Sequence, residues 1–283
     1  MDAYHIPVML NESLQGLEIK PGGDYVDATF GGGGHSREIL RRLGNGRLFA
    51  FDQDKDAAGN VIDDGRFFFI MHNFRFLKNF LAYYGVGQVD GILADLGVSS
   101  HDFDVAERGF SFRFDGSLDM RMNQDSKKSA IEVINNYSEE DLKKIFRDFG
   151  EINNAGKLAA VIVESRAGKT IKTIANFKEC ISPCLPKNFE NKYLAKVFQA
   201  LRIEVNNEIN VLKDFLIASL DVLKPGGRLS ILAYHSLEDR LIKNFMKSGN
   251  FEGKQEKDFY GNISSPFKLI NRKVIIPDES ELK

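Results

Sequence analysis

Four successive glycines, Gly31 to Gly34, separate the apolar segment Asp24-Tyr-Val-Asp-Ala-Thr-Phe30 from His35-Ser36. A glycine has no Cβ, so this turn can adopt positive φ and let backbone N–H groups approach a ligand more closely than a side chain would permit. Arg47-Leu-Phe-Ala-Phe-Asp52 then reads as a second strand ending in a carboxylate, about 20 residues beyond the glycines, the distance at which a βαβ unit presents an acid to a ribose. A strand, a glycine turn at a helix start and a second acidic strand end together point to a nucleotide cofactor. The regular Gly-x-Gly-x-x-Gly spacing is absent, however, and Asp27 closes the first strand. A carboxylate there would repel a pyrophosphate and tolerate a cationic sulfonium carrying an amino-acid tail. Methyl transfer from S-adenosylmethionine therefore fits better than hydride transfer from a dinucleotide.

The elements that must position these residues follow from the apolar pattern. Tyr25 to Phe30, Leu48 to Asp52, Phe67 to Met71 and Val89 to Asp95 read as parallel strands. Helices at Ser36 to Leu43, Lys55 to Ile62 and Phe74 to Tyr84 alternate with them. From about His101 to Arg202 helical patterns replace this alternation: Ser138 caps a helix running through Leu142 to Phe149, and Ala155 to Ser165 and Ile174 to Ile181 follow. One long helix from about Lys192 to Leu223 returns the chain to the sheet, where Lys224-Pro-Gly-Gly turns it into a fifth strand, Arg228 to Tyr234. A helix from Leu237 to Lys247 and a last strand, Lys268 to Ile276, complete the pattern.

The chain of 283 residues is long enough for one α/β domain carrying an insertion. Its net charge of −2 leaves no global basic footprint, so any contact with nucleic acid must be local. The insertion has near-equal numbers of basic and acidic residues, which restricts such a face further. No apolar run approaches a membrane span and the first residues lack the pattern of a secretory signal, so a cytoplasmic protein without a membrane partner is expected. Cys180 and Cys184 beside Pro183 read as structural thiols, too few for a zinc site. No metal is expected.

Three further runs carry polar function. Asp95-Leu-Gly-Val-Ser-Ser100 leaves the fourth strand at its carboxyl end, where open α/β sheets bind ligands. Arg108 to Met122 alternates Phe110, Phe112 and Phe114 with polar residues, a pattern read as a strand or lid packed on the core. Ala233-Tyr-His-Ser-Leu-Glu-Asp-Arg240 reads as a helix start in which Ser236 is the cap.

Together these runs resemble the bacterial small-subunit ribosomal RNA cytosine-N4 methyltransferases, the MraW or RsmH family. The resemblance extends from His5-Ile-Pro-Val8 and Glu12 through the glycine turn, Asp95 to Ser100, Glu107 to Met122, Phe198-Gln-Ala-Leu-Arg202, Asn206 and Glu208, to Tyr234–Arg240. It implies an α/β fold, a class I methyltransferase with a Rossmann-like, mostly parallel sheet and an inserted all-helical domain. Residues 1–100 and 206–283 would bind S-adenosylmethionine, and residues 101–205 would recognise the substrate. By resemblance the cofactor contacts fall on Gly33, Gly34, His35, Asp52, Phe74, Asp95 and Asp102, with Asp95 also the catalytic candidate. Asp102 stands where relatives usually carry glutamine, and Ser117 and Asn123 replace their usual proline and aspartate. The implied partner is small-subunit ribosomal RNA or the assembled small subunit, and a homodimer is compatible with the pattern. Two other readings stay open: the same cofactor with a small-molecule or protein acceptor, and a non-catalytic RNA-binding factor in ribosome assembly.

Overall fold

The computed structural model describes residues 7–98, 103–255, 259–260, 265–271 and 273–277. Five strands, β1 (Asp24–Asp27), β2 (Arg47–Phe51), β3 (Phe67–Ile70), β4 (Val89–Asp95) and β5 (Leu223–Leu232), form one sheet in the order β3-β2-β1-β4-β5. Every neighbouring pair is parallel. This is the Rossmann-like α/β fold, in which ligands bind beyond the carboxyl ends of the strands, where the strand order reverses. Here the reversal lies between β1 and β4.

The strands are continuous apolar runs because helices cover both faces of the sheet. On one side α1 (Leu10–Leu17) and α2 (Gly34–Arg42) bury Leu14, Leu17, Ile39 and Leu40 with Tyr25 and Leu48. On the other, α3 (Leu77–Tyr83) contributes Leu77 and Leu81 to a cluster with Phe49, Phe51, Ile92 and Phe215. The expected helix at Lys55 to Ile62 is a 3₁₀ helix over Lys55–Asn60, and that at Phe74 to Tyr84 begins as a 3₁₀ turn over Phe74–Phe76. The sequence reading passed over α1.

Contacts divide the chain into two compact units, residues 1–97 with 210–283 and residues 98–209. The second is helical: α4 (Ala130–Asn136), α5 (Glu139–Asp148), α6 (Ala155–Gly168), α7 (Ile174–Ile181) and α8 (Glu190–Asn206) surround Phe146, Leu158, Phe177 and Leu201. Ser129, Ser138 and Thr173 cap α4, α5 and α7 by accepting from a backbone N–H three residues on. Phe110 is buried in this core and Phe112 meets Phe198 edge-on at 5.5 Å, whereas Phe114 is exposed. Two of the three alternating phenylalanines thus pack as expected. Cys180 and Cys184 are free thiols.

Three expected elements differ. The long helix is two, α8 and α9 (Glu208–Val222), broken at Asn207, whose φ of 53° is left-handed and whose N–H turns back to the Glu204 and Ile203 carbonyls. Asparagine tolerates that conformation better than most residues, so the apolar period continues across a break it does not reveal. Lys224-Pro-Gly-Gly is not a turn before β5 but a bulge inside it. Val89 pairs with Leu223 and Gly91 with Arg228, so the extra residues loop out through Gly226 at φ 80°. No strand forms among the described residues of Lys268 to Ile276, whose Ile270, Val274, Ile275 and Ile276 stay exposed. Branched apolar residues raise strand propensity without supplying a partner edge.

Candidate active site

Asp27 is the last residue of β1 and is completely buried. Its Oδ2 accepts from Ser36 Oγ at 2.6 Å and its Oδ1 from the Thr29 backbone N–H at 3.1 Å. Burial pushes its pKa up, and the His35 ring and the Ser36 and Thr29 donors oppose the rise. The glycine turn lies between β1 and α2. Gly31 and Gly33 have φ of 50° and 76°, and a Cβ on Gly31 or Gly32 would meet nothing within 4 Å. Gly34 is a different case, since a Cβ there would lie 2.2 Å from Pro7 Cγ. Two glycines therefore open the turn to a ligand, and one admits the N-terminal segment.

His35 is buried at the start of α2, and its Nε2 has no hydrogen-bond partner among the described residues. A buried polar atom left without a partner is costly, and a bound group that hydrogen-bonds to it would remove that cost. Asp52 follows β2 and braces the turn: Oδ2 accepts from Gly31 N–H at 2.8 Å and Oδ1 from Asp54 N–H at 2.9 Å. Phe74 is half-buried after β3, edge-on to Phe215 with centroids 5.1 Å apart.

Asp95 ends β4 two registers beyond the Leu93 that pairs with Asp27. Its backbone N–H donates to Thr29 Oγ1 at 2.7 Å, which ties it to the chain leaving β1. Its Oδ1 accepts from Tyr234 Oη at 2.6 Å. Burial raises its pKa, as do Asp27 and Glu238, while the Tyr234 hydroxyl and His35 oppose the rise. Burial first, and then the pairing with Asp95, push the Tyr234 phenol well above its usual range.

Gly33, Gly34, His35, Asp52 and Asp95 all come from the carboxyl ends of β1, β2 and β4 or the turns that leave them, and Phe74 follows β3. Asp102 lies outside the described residues. Sequence reasoning missed Ser36, Thr29 and Tyr234 as partners of the two carboxylates. Ser36 was legible as a hydroxyl in the first turn of the helix after an acidic strand end, and the Thr29 N–H bond to Asp27 is a local Asx-type contact two residues on, but Tyr234 leaves no local signal. Ser236 is not the cap of α10 (Ser236–Ser248): His235 takes that place, its Nδ1 accepting from Glu238 N–H at 3.4 Å. An imidazole nitrogen can replace a hydroxyl oxygen there, and Ser236 then becomes the first helical residue.

In the helical unit, the polar residues singled out near the end of α8 hold a loop. Asn206 accepts from Met122 N–H and donates to the Met120 carbonyl, both at 2.8 Å, and Arg202 forms a two-pronged pair with Glu208 at 2.9 Å. Asparagine here supplies the hydrogen bonds that the irregular backbone around Met120, at φ 63°, cannot make with itself.

The family model of the MraW methylases matches residues 2–283. The chain is 60% identical over 282 residues to a Parabacteroides distasonis protein named ribosomal RNA small subunit methyltransferase H, with 99% of this chain and 92% of that protein covered. Proteins of the same name from Bacteroides fragilis and Flavobacterium johnsoniae are each 59% identical, again across 99% of this chain and 92% and 93% of theirs. Matched by that family model over residues 2–283 and by these relatives over 99% of its length, this chain belongs to the MraW methylase family.

Proposed function

We propose that this protein uses S-adenosylmethionine to methylate the N4 amino group of a cytidine in the decoding region of small-subunit (16S) ribosomal RNA. The observation that carries the reading is Asp95, a half-buried carboxylate at the end of β4 whose side-chain donor among the described residues is the exposed Tyr234. It can accept a further hydrogen bond from an amino group, in a chain whose relatives are named for methylation of small-subunit ribosomal RNA.

The residues present fit the cofactor. Gly31 and Gly32 leave room for close approach, the unpartnered His35 Nε2 offers a polar contact, Asp52 is suited to a ribose and Phe74 to an adenine. Gly33 and Gly34 shape the turn, and Asp102 belongs to the same contact set by family likeness. The cofactor supplies a methyl group made electrophilic by a positive sulfur.

A cytosine amino group is a weak nucleophile because its lone pair is delocalised into the ring. An N–H donating to the Asp95 carboxylate raises electron density at that nitrogen, and the same oxygen can take the proton lost as the new N–C bond forms. Asp95 works in its ionised form, so methylation falls as pH drops through its raised pKa. In this reading residues 1–100 and 206–283 hold the cofactor and residues 101–205 recognise the RNA. No helix among the described residues is long and apolar enough to cross a membrane, and action on cytoplasmic ribosomal subunits is compatible with that.

The test is transfer of tritium from methyl-labelled S-adenosylmethionine to small subunits lacking the modification, followed by digestion to nucleosides. Label co-migrating with N4-methylcytidine is expected. Label in another nucleoside, in protein or in none would overturn the reading.

A further inference from the structure

We propose that Tyr234 is the positioning residue for the acceptor base: its hydroxyl holds one oxygen of Asp95 in place, and its exposed ring gives the planar base a surface to stack on. The inference rests on the reading of Asp95 as the group that meets the acceptor amine.

The geometry is unusual for a surface tyrosine. The Oη–Oδ1 distance is 2.6 Å, in the range of a hydrogen bond to an ionised carboxylate, yet Tyr234 is 54% exposed. Its backbone is fixed, because Tyr234 N–H donates to Glu238 Oε2 at 3.0 Å and Glu238 is itself buried. A Cβ on Gly97 would lie 3.5 Å from Tyr234 Cδ2, so the chain leaving β4 runs beside the ring, and Gly97 at φ 101° presents no side chain to it. The ring is thus anchored at its hydroxyl and backbone, while more than half of the residue remains exposed.

An anchored, open aromatic beside a reactive carboxylate suits a base taken out of its stack. Enzymes that modify a base must hold it extruded, and they hold it by aromatic contact together with hydrogen bonds to its polar edge. With Oδ1 occupied by Tyr234, the carboxylate is held in one rotamer and Oδ2 is left for the amino N–H. A carboxylate oxygen can accept more than one hydrogen bond, so the tyrosine need not leave when the base arrives.

Removing only the hydroxyl changes one contact among several. Asp95 also faces His35 from α2, Asp27 from β1 and Glu238 from α10, and these persist in Tyr234→Phe. Loss of the donor raises the Asp95 pKa further, so the acid limb of activity moves to higher pH. A hydrogen bond to a charged group corresponds to a displacement of about one to two pH units.

The experiment compares Tyr234→Phe, Tyr234→Ala and wild type, with single-turnover methylation of small subunits measured across pH, KM for small subunits, and S-adenosylmethionine affinity by calorimetry. Tyr234→Phe is expected to shift the acid limb upward by ~1–2 pH units and to reach a lower plateau turnover than wild type above it, because Asp95 is no longer held, with KM unchanged. Tyr234→Ala is expected to raise KM by ~5- to 150-fold as well, the range for one lost base–aromatic stack. Both should bind the cofactor normally. An unmoved acid limb in Tyr234→Phe, an unchanged KM in Tyr234→Ala, or equal loss of cofactor affinity in both would overturn the proposal. Asp95→Asn run alongside separates the two readings: if it turns over normally, the role of Asp95 itself fails, and if it is slow while the tyrosine variants behave as wild type, only this proposal fails.

Discussion

Two carboxylates end adjacent strands of the same sheet and differ in what holds them. Asp27 is sealed, with an inward serine hydroxyl and a backbone N–H as its partners. Asp95 shares its burial-raised pKa, but its side-chain partner is a tyrosine that is more than half exposed. A carboxylate enclosed by its own chain can organise a turn. One whose partner faces solvent can exchange bonds with a substrate. The difference fits Asp27 to the architecture at the end of β1 and supports the role in the chemistry proposed for Asp95, although their sequence settings are almost the same: an apolar strand, then an acid, then a glycine-containing turn.

The comparison breaks most readily at Asp95. Asp95→Asn keeps the shape and removes the charge, and single-turnover methylation is expected to fall by on the order of 100-fold or more. The effect belongs in turnover, because positive charge grows on the attacking nitrogen in the transition state. Poor cofactor binding with normal turnover would move Asp95 from catalysis to binding.

Asp52 comes next. Asp52→Ala is expected to weaken cofactor binding by roughly 10- to 150-fold in calorimetry, the equivalent of one charge-assisted hydrogen bond. Because Asp52 also accepts from Gly31 N–H, part of that loss would come from a loosened turn. Asp52→Asn, which keeps an acceptor oxygen, should recover some of it. Unchanged affinity in folded Asp52→Ala would remove this residue from the site.

The smallest effect sharpens the other half of the comparison. Ser36→Ala leaves one oxygen of a fully buried carboxylate without its donor, so stability to denaturant should drop by about 1–3 kcal/mol. The acid limb of methylation should stay close to that of wild type. An unchanged denaturation midpoint would mean that Asp27 is not held as described.

Much of the sheet was legible because parallel strands covered on both faces are continuous apolar runs, and β1 to β4 stand within a few residues of their expected bounds. The failures share a cause. Asn207, the bulge at Gly226 and the missing strand at Lys268 to Ile276 depend on backbone conformation or on a partner edge, neither of which hydrophobic period records. In the candidate site, Gly33, Gly34, Asp52 and Asp95 stood out in the sequence because glycine and acid carry their chemistry in their type. Tyr234 could not. It reaches Asp95 from a residue 139 positions away, and only the pairing of β4 with β5 brings the two together.

The most direct measurement is the pH profile of single-turnover methylation for wild type, Asp95→Asn and Asp27→Asn. If Asp95 is the working carboxylate, wild type shows an acid limb above the ordinary carboxylate range and Asp95→Asn is slow and nearly flat through it. Asp27→Asn should keep the limb and move it to lower pH, because a like charge that raises the Asp95 pKa is gone. A limb that vanishes in Asp27→Asn and persists in Asp95→Asn would contradict the division of roles between the two strand ends.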